Sequence, residues 1–184
     1  MLDYTSIYSY YQDMHIKISH ESPLALLEES RYYNDYDYCL VHLMEQELKY
    51  REYFLNARKI YDREVFLDTS VFELGTAFDA SKYMDWAEKI NPSLMIIPDV
   101  LEDATATIQG WEKFIADFGS RLDKLDARRI GVVQGKTLDE LRDCYEFMSN
   151  NADVIALSFD MSFYKSTGWL YGFREDVRRP SAFD

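Results

Sequence analysis

Three polar side chains stand directly after short apolar runs: Asp68 ends EVFLD, Asp99 follows LMIIP, and Gln134 follows IGVV. A fourth, Asp160, comes just after VIALS. A carboxylate in such a place can accept two hydrogen bonds from an amidine-like edge, such as the N1–H and exocyclic amine of a guanine-type base. A primary amide both donates and accepts, so Gln134 can read a mixed edge, and the adjacent Gly135 lacks a Cβ and would let a ligand approach the backbone. Phe72, four residues past Asp68, offers a flat face on which a base can stack. Each acidic residue has a second reading as a cap of the helix that follows it, and Phe72 has one as core packing; helix capping accounts poorly for Gln134.

The elements that must position these groups are legible as alternation. Five apolar runs read as strands, at Tyr38–Leu43, Glu64–Leu67, Leu94–Pro98, Ile130–Val133 and Val154–Ser158. Segments of helical period lie between them, at about Glu45–Tyr61, Ala80–Ile90, Ala104–Phe118 and Leu138–Ser149. Thr137 with Glu140 three residues on forms a capping box for the last of these. An earlier helix is expected from Ser22, as cap, to Ser30, with Pro23 in its first turn. Continuous apolar strands alternating with helices predict an α/β fold with a parallel sheet covered on both faces. The polar residues recur at about the length of one βαβ unit, roughly 30 residues, so they should meet at the carboxyl ends of the strands.

Composition narrows the classes. The 184 residues are 47% hydrophobic and 29% charged, with 7 Gly and 4 Pro, as in a folded domain. No run approaches the roughly 18 apolar residues of a membrane span, and MLDYTSIYSYYQDM lacks the pattern of a secretory signal, so the chain is expected in the cytoplasm without a membrane partner. Cys39 and Cys144 read as packing residues, and with His15, His20 and His42 they show no metal-ligand spacing. The net charge of −13 argues against binding nucleic acid by overall field. Arg121, Lys124, Arg128 and Arg129, and the later Arg174, Arg178 and Arg179, are local basic groups that read as solvated surface.

In order and spacing, LDTSVFELG, IIPDVLED, GVVQGKT and ADVIALSFD together resemble the base-binding half of the tRNA-guanine transglycosylase (queuine tRNA-ribosyltransferase-like) superfamily, over about residues 38–164. The closer likeness is to versions carried by tailed bacteriophages, including transglycosylases that insert 7-deazaguanine bases into DNA; a phage origin would put the protein in the host cytoplasm. The resemblance implies a partial TIM-type (β/α) barrel of about five strand–helix units; outside it, residues 1–37 read by composition as a Tyr-rich lead-in that packs on the domain, and 165–184, which do not read as strand plus helix, as an irregular tail. It assigns base recognition to Asp68, Asp99 and Gln134 and stacking to Phe72. The implied reaction is a pentosyl transfer without cofactor, exchanging guanine for a deazapurine in tRNA (the queuosine modification) or in DNA, with an aspartate attacking the sugar C1′.

The chain departs from that pattern in two places. The family's glycine-rich turn after the fifth strand is here Ala156-Leu157-Ser158-Phe159-Asp160, and its nucleophile comes later than this chain extends, as does the zinc site of the tRNA enzymes. At roughly 250 residues a closed barrel is also longer, so the chain is read as truncated. Asp160 is the candidate substitute nucleophile, with capping or support of a neighbour as its other reading. Two alternatives follow: a non-catalytic protein that holds a purine or 7-deazapurine, and an interaction protein whose open sheet makes it a homo-oligomer or the partner of a separately encoded C-terminal half.

Overall fold

The computed structural model describes residues 16–157. After a 3-10 turn at Leu24–Leu26 and the short helix α1 (Leu27–Ser30), the elements run β1 (Asp37–Leu40), α2 (Val41–Gln46), α3 (Leu48–Tyr61), β2 (Val65–Asp68), α4 (Val71–Leu74), α5 (Ala80–Ile90), β3 (Leu94–Ile96), α6 (Ala104–Leu122), β4 (Arg128–Val133), α7 (Leu138–Asn151) and β5 (Val154–Leu157). All five strands form one sheet in the order β1-β2-β3-β4-β5, and every pairing is parallel. This is an α/β fold of the partial (β/α) barrel kind. Among the described residues, no helix is long and apolar enough to cross a membrane.

Alternation along the strands sorts the core into two parts. Cys39, Val65, Leu67, Met95, Ile97 and Val133 pack with apolar residues of the helices, including Phe54, Tyr83, Trp111, Phe114 and Met148. The intervening residues Ile96, Ile130 and Val132 form a second cluster with Phe66, Leu94, Val154 and Ala156, all of them strand residues. The expected cover on both faces is therefore corrected: the helices pack on one face. Sequential strand order puts every crossover on the same side, and the other face becomes the inner wall of a barrel segment.

The first strand–helix unit differs from the sequence expectation. The run Tyr38–Leu43 is strand only to Leu40, and Val41 and Met44 are buried on one side of a helix instead. The expected helix from Glu45 breaks at Glu47, which is extended at φ −122° and ψ 110°. Arg51 holds the break by donating Nε to the Met44 carbonyl (2.7 Å) and Nη2 to that of Glu45 (3.0 Å), so the end of α2 is satisfied by a side chain. β3 is shorter than expected, because Pro98 follows closely, and α6 runs four residues longer. Ser22 caps no helix: its hydroxyl donates to the His20 carbonyl, and the turn starts after Pro23. The capping box at Thr137 and Glu140 is present, with both reciprocal bonds.

The described part of the lead-in lies beside the start of β1. Ile18 and Asp35 exchange hydrogen bonds, Ser19 donates its hydroxyl to the Tyr36 carbonyl, and Lys17 pairs with Glu64. The outer edge of β1 is closed by a different residue. Asp37 turns its N–H to β2, so Tyr38 and Leu40 turn their backbone groups outward; there the Tyr50 hydroxyl accepts from Leu40 N–H (2.8 Å) and lies 3.5 Å from the Tyr38 carbonyl. A helix side chain thus occupies hydrogen-bonding positions that a further strand would use.

Candidate functional site

The strand tips of β2, β3 and β4 bring Asp68, Asp99 and Gln134 to one cavity of about 330 Å³. Its floor is the inner wall, from Phe66, Ile96, Val132 and Ala156, and its rim includes Tyr36, Tyr38, Phe72, Leu101 and Leu157. That volume is at the small end of the roughly 300–1,000 Å³ of small-molecule sites. A second hollow of about 270 Å³ adjoins it, lined by Ser19, Glu21 and Glu73 and sharing Tyr36, Tyr38, Asp68, Val71 and Phe72 with the first. A larger hollow of about 470 Å³ between α1 and α3 contains none of the described buried polar atoms that lack a partner.

Asp68 is the last residue of β2 and points to the inner face, two positions beyond Phe66. Its Oδ1 accepts from Ser70 N–H and its Oδ2 from the Tyr38 hydroxyl, both at 2.5 Å. Ser70 adopts the left-handed conformation (φ 58°), which aims its N–H back at the carboxylate. Burial raises the Asp68 pKa, the two hydrogen bonds oppose the rise, and the charge of Glu73 adds to it. Burial also raises the Tyr38 hydroxyl pKa, with the Asp68 charge contributing, so Tyr38 remains a donor. The ring of Tyr38 stacks on Phe66 at 4.9 Å between centroids.

Asp99 is 3% exposed. Its Oδ2 accepts from Gln134 Nε2 at 2.7 Å, whereas Oδ1 is buried without a hydrogen-bond partner among the described residues. Burial pushes its pKa up to about 6; the Gln134 bond opposes the rise, the charge of Asp68 adds to it, and the residue's own backbone N–H, near the carboxylate though outside hydrogen-bond geometry to Oδ1, also opposes it. Gln134 accepts at Oε1 from Glu102 N–H, 3.0 Å away. Turning the amide over would set its oxygen against the Asp99 carboxylate and its NH2 against an N–H, so the two partners fix its orientation. One Nε2 hydrogen remains beyond the Asp99 bond. An unsatisfied acceptor next to a spare donor is complementary to the N–H and C=O edge of a lactam.

Neither central aspartate caps a helix. Asp103 caps α6, accepting from Ala106 N–H at 2.8 Å, and Glu102, in the left-handed region (φ 59°), serves Gln134 through its backbone. Phe72 is 77% exposed on the single-turn helix α4 and lines both hollows, so it is not a core residue. Gly135 stands apart from the other expected residues. It does not line the cavity: with φ 155°, a Cβ there would meet Glu140 Cβ at 2.9 Å and Leu141 N at 3.0 Å, so its missing side chain admits the first turn of α7, not a ligand. Asp160 lies outside the described residues.

Residues that the motifs do not include also take part: Tyr36, Tyr38 and Phe66 line the cavity, and Glu21 lines the adjoining hollow. The two-residue alternation YDY before Cys39 and the Phe two places before Asp68 carry the signal for three of them. Glu21 carried none, since its place depends on where the lead-in folds. The described residues contain no group of three or more His, Cys, Asp or Glu side chains able to hold a metal ion.

Fold and site together define a class: a barrel-segment α/β protein with a small, aromatic-walled, acidic cavity at its strand tips. No protein-family model matches the chain, and no curated protein is significantly similar to it.

Proposed function

We propose that this protein binds a guanine or 7-deazaguanine base in the cavity at the tips of β2, β3 and β4. The observation that carries the reading is the Asp99 Oδ1, a buried acceptor without a partner among the described residues, held by Gln134 beside an amide N–H that has no other partner among them. A buried carboxylate oxygen without a donor is costly, and a ligand N–H supplies what the site lacks. Asp68 adds a second acceptor whose lone pairs are aimed by Tyr38 and Ser70, and Phe72 and Tyr38 supply faces for stacking. The resemblance of the ordered segments LDTSVFELG, IIPDVLED and GVVQGKT to the tRNA-guanine transglycosylases agrees with this ligand class.

Exchange of that base into tRNA or DNA, a pentosyl transfer, is the second reading. It uses the same cavity and adds a carboxylate attacking C1′, for which Asp160, three residues past the cavity-lining Leu157, is the candidate. Calorimetry with guanine and 7-deazaguanine tests the first reading: binding that is lost in Asp99→Asn supports it, and no binding to the unaltered chain refutes it. Incorporation of labelled guanine into tRNA or DNA tests the second, with loss expected in Asp160→Asn if exchange occurs. An interaction-only reading, in which the open sheet associates with a second copy, stands apart from both, and light scattering reads it directly.

A further inference from the structure

The hollow adjoining the base cavity is acidic. Glu21, Asp68 and Glu73 line it together, and no lysine or arginine lines either hollow among the described residues. The carboxylates are close enough to act on one another. The Glu21 pKa is raised first by burial and then by the charges of Glu73 and Asp68, with His42 the opposing group, and Asp68 feels Glu73 in the same sense. Sites for phosphate are built the other way, with Arg, Lys or converging backbone N–H groups facing the anion. The two hollows share a wall at Tyr38, Asp68 and Phe72, so the space beside Asp68 toward Glu21 and Glu73 adjoins that of a base anchored on Asp99.

Resting on the base-binding reading above and not on the exchange reading, whose polynucleotide would carry phosphates to the same cavity, we infer that the site selects the phosphate-free ligand, a free base or nucleoside, and that Glu21 and Glu73 set this selectivity by repelling nucleotides. Asp99 and Gln134 give the site its affinity, and the two glutamates decide what can be attached to the base. Two like charges lining the same hollow as the phosphate, partly screened by water, weaken binding of a nucleoside monophosphate by about tenfold or more relative to its nucleoside. Salt shortens the reach of that repulsion.

The experiment is calorimetry on the full chain with 7-deazaguanine, guanosine and guanosine 5′-monophosphate, at low and high salt. The same series is run on the double variant Glu21→Gln/Glu73→Gln. The expected result is binding of the base and the nucleoside, monophosphate binding at least about tenfold weaker at low salt, and a gap that narrows in high salt and in the double variant. Equal affinity for guanosine and its monophosphate overturns the inference while the base-binding reading stands. So does a guanosine rejection as complete as that of the monophosphate, since the sugar and not the charge would then be the barrier. A gap unchanged by salt and by the double variant overturns it as well. No binding of 7-deazaguanine removes both readings. The comparison of ligands on the unaltered chain needs no variant, so a misfolded variant does not block the test.

Discussion

Replacing Asp99 by asparagine should separate stability from binding. The Asp99 carboxyl is almost wholly buried, and burial moves its pKa from an ordinary 3.8 up to about 6. At about 1.36 kcal/mol per pH unit, the folded protein spends about 3 kcal/mol on keeping this group ionised. For a raised pKa the sign is fixed: the stability that Asp99 contributes is fully present below about pH 4 and is lost as pH rises through about 6. Asparagine keeps an acceptor for Gln134 Nε2 and does not titrate. The stability of the variant minus that of the unaltered protein should therefore rise by roughly 2–2.5 kcal/mol between about pH 4 and pH 7, whatever constant offset the amide brings. Urea unfolding of both proteins across that window measures it, since every other titrating group is common to the two. The same change puts an N–H donor where Oδ1 stood, so binding of 7-deazaguanine should fall by at least tenfold, about 1.4 kcal/mol. A stability difference that is flat with pH would refute the assignment of an ionised, strained carboxylate. Undiminished binding by the variant would refute its role as acceptor.

Three further outcomes follow from the same geometry. Binding of 7-deazaguanine to the unaltered chain should strengthen as pH rises through about 6 and then level off, because the ligand N–H favours the ionised Asp99; calorimetry in buffers of different ionisation heat should show proton release near that pH. Phe72→Ala should leave the unfolding midpoint nearly unchanged, as Phe72 is exposed, while costing roughly 1–3 kcal/mol of base affinity; a large loss of stability with unaltered affinity would return Phe72 to a packing role. Gly135→Ala should destabilise by roughly 1–3 kcal/mol in thermal unfolding, since its Cβ meets the first turn of α7, and base affinity should persist at temperatures where the variant is folded.

Tyr38 shows how a site is finished by groups outside the motif. Its hydroxyl holds one oxygen of Asp68 while Ser70 N–H holds the other, and its ring is braced by Phe66. Tyr50 does similar work at the sheet edge, where its hydroxyl takes up the outward backbone groups of β1. Both tyrosines owe their roles to residues distant in sequence: Tyr38 reaches the tip of the neighbouring strand, and Tyr50 reaches back from α3 to the edge of β1.

The sequence alone was enough for the alternation of strands and helices, the parallel sheet, the capping box at Thr137, and the placing of Asp68, Asp99 and Gln134 at strand tips. These follow from local pattern, since runs of apolar residues and their helical period depend on near neighbours, and parallel strands joined by helices bring their carboxyl ends to one side. Val41–Gln46 escaped that reading because a short buried apolar run has the same composition as strand or helix, and only the Arg51 contacts to the α2 carbonyls settle it. Tertiary structure also decided that Gly135 packs against α7, that Glu21 lines the hollow beside the cavity, and that Gln134 spends two of its bonds on Asp99 and Glu102. Those outcomes depend on which side chains meet across strands and loops, and the distance between two groups in space is not encoded in their separation along the chain.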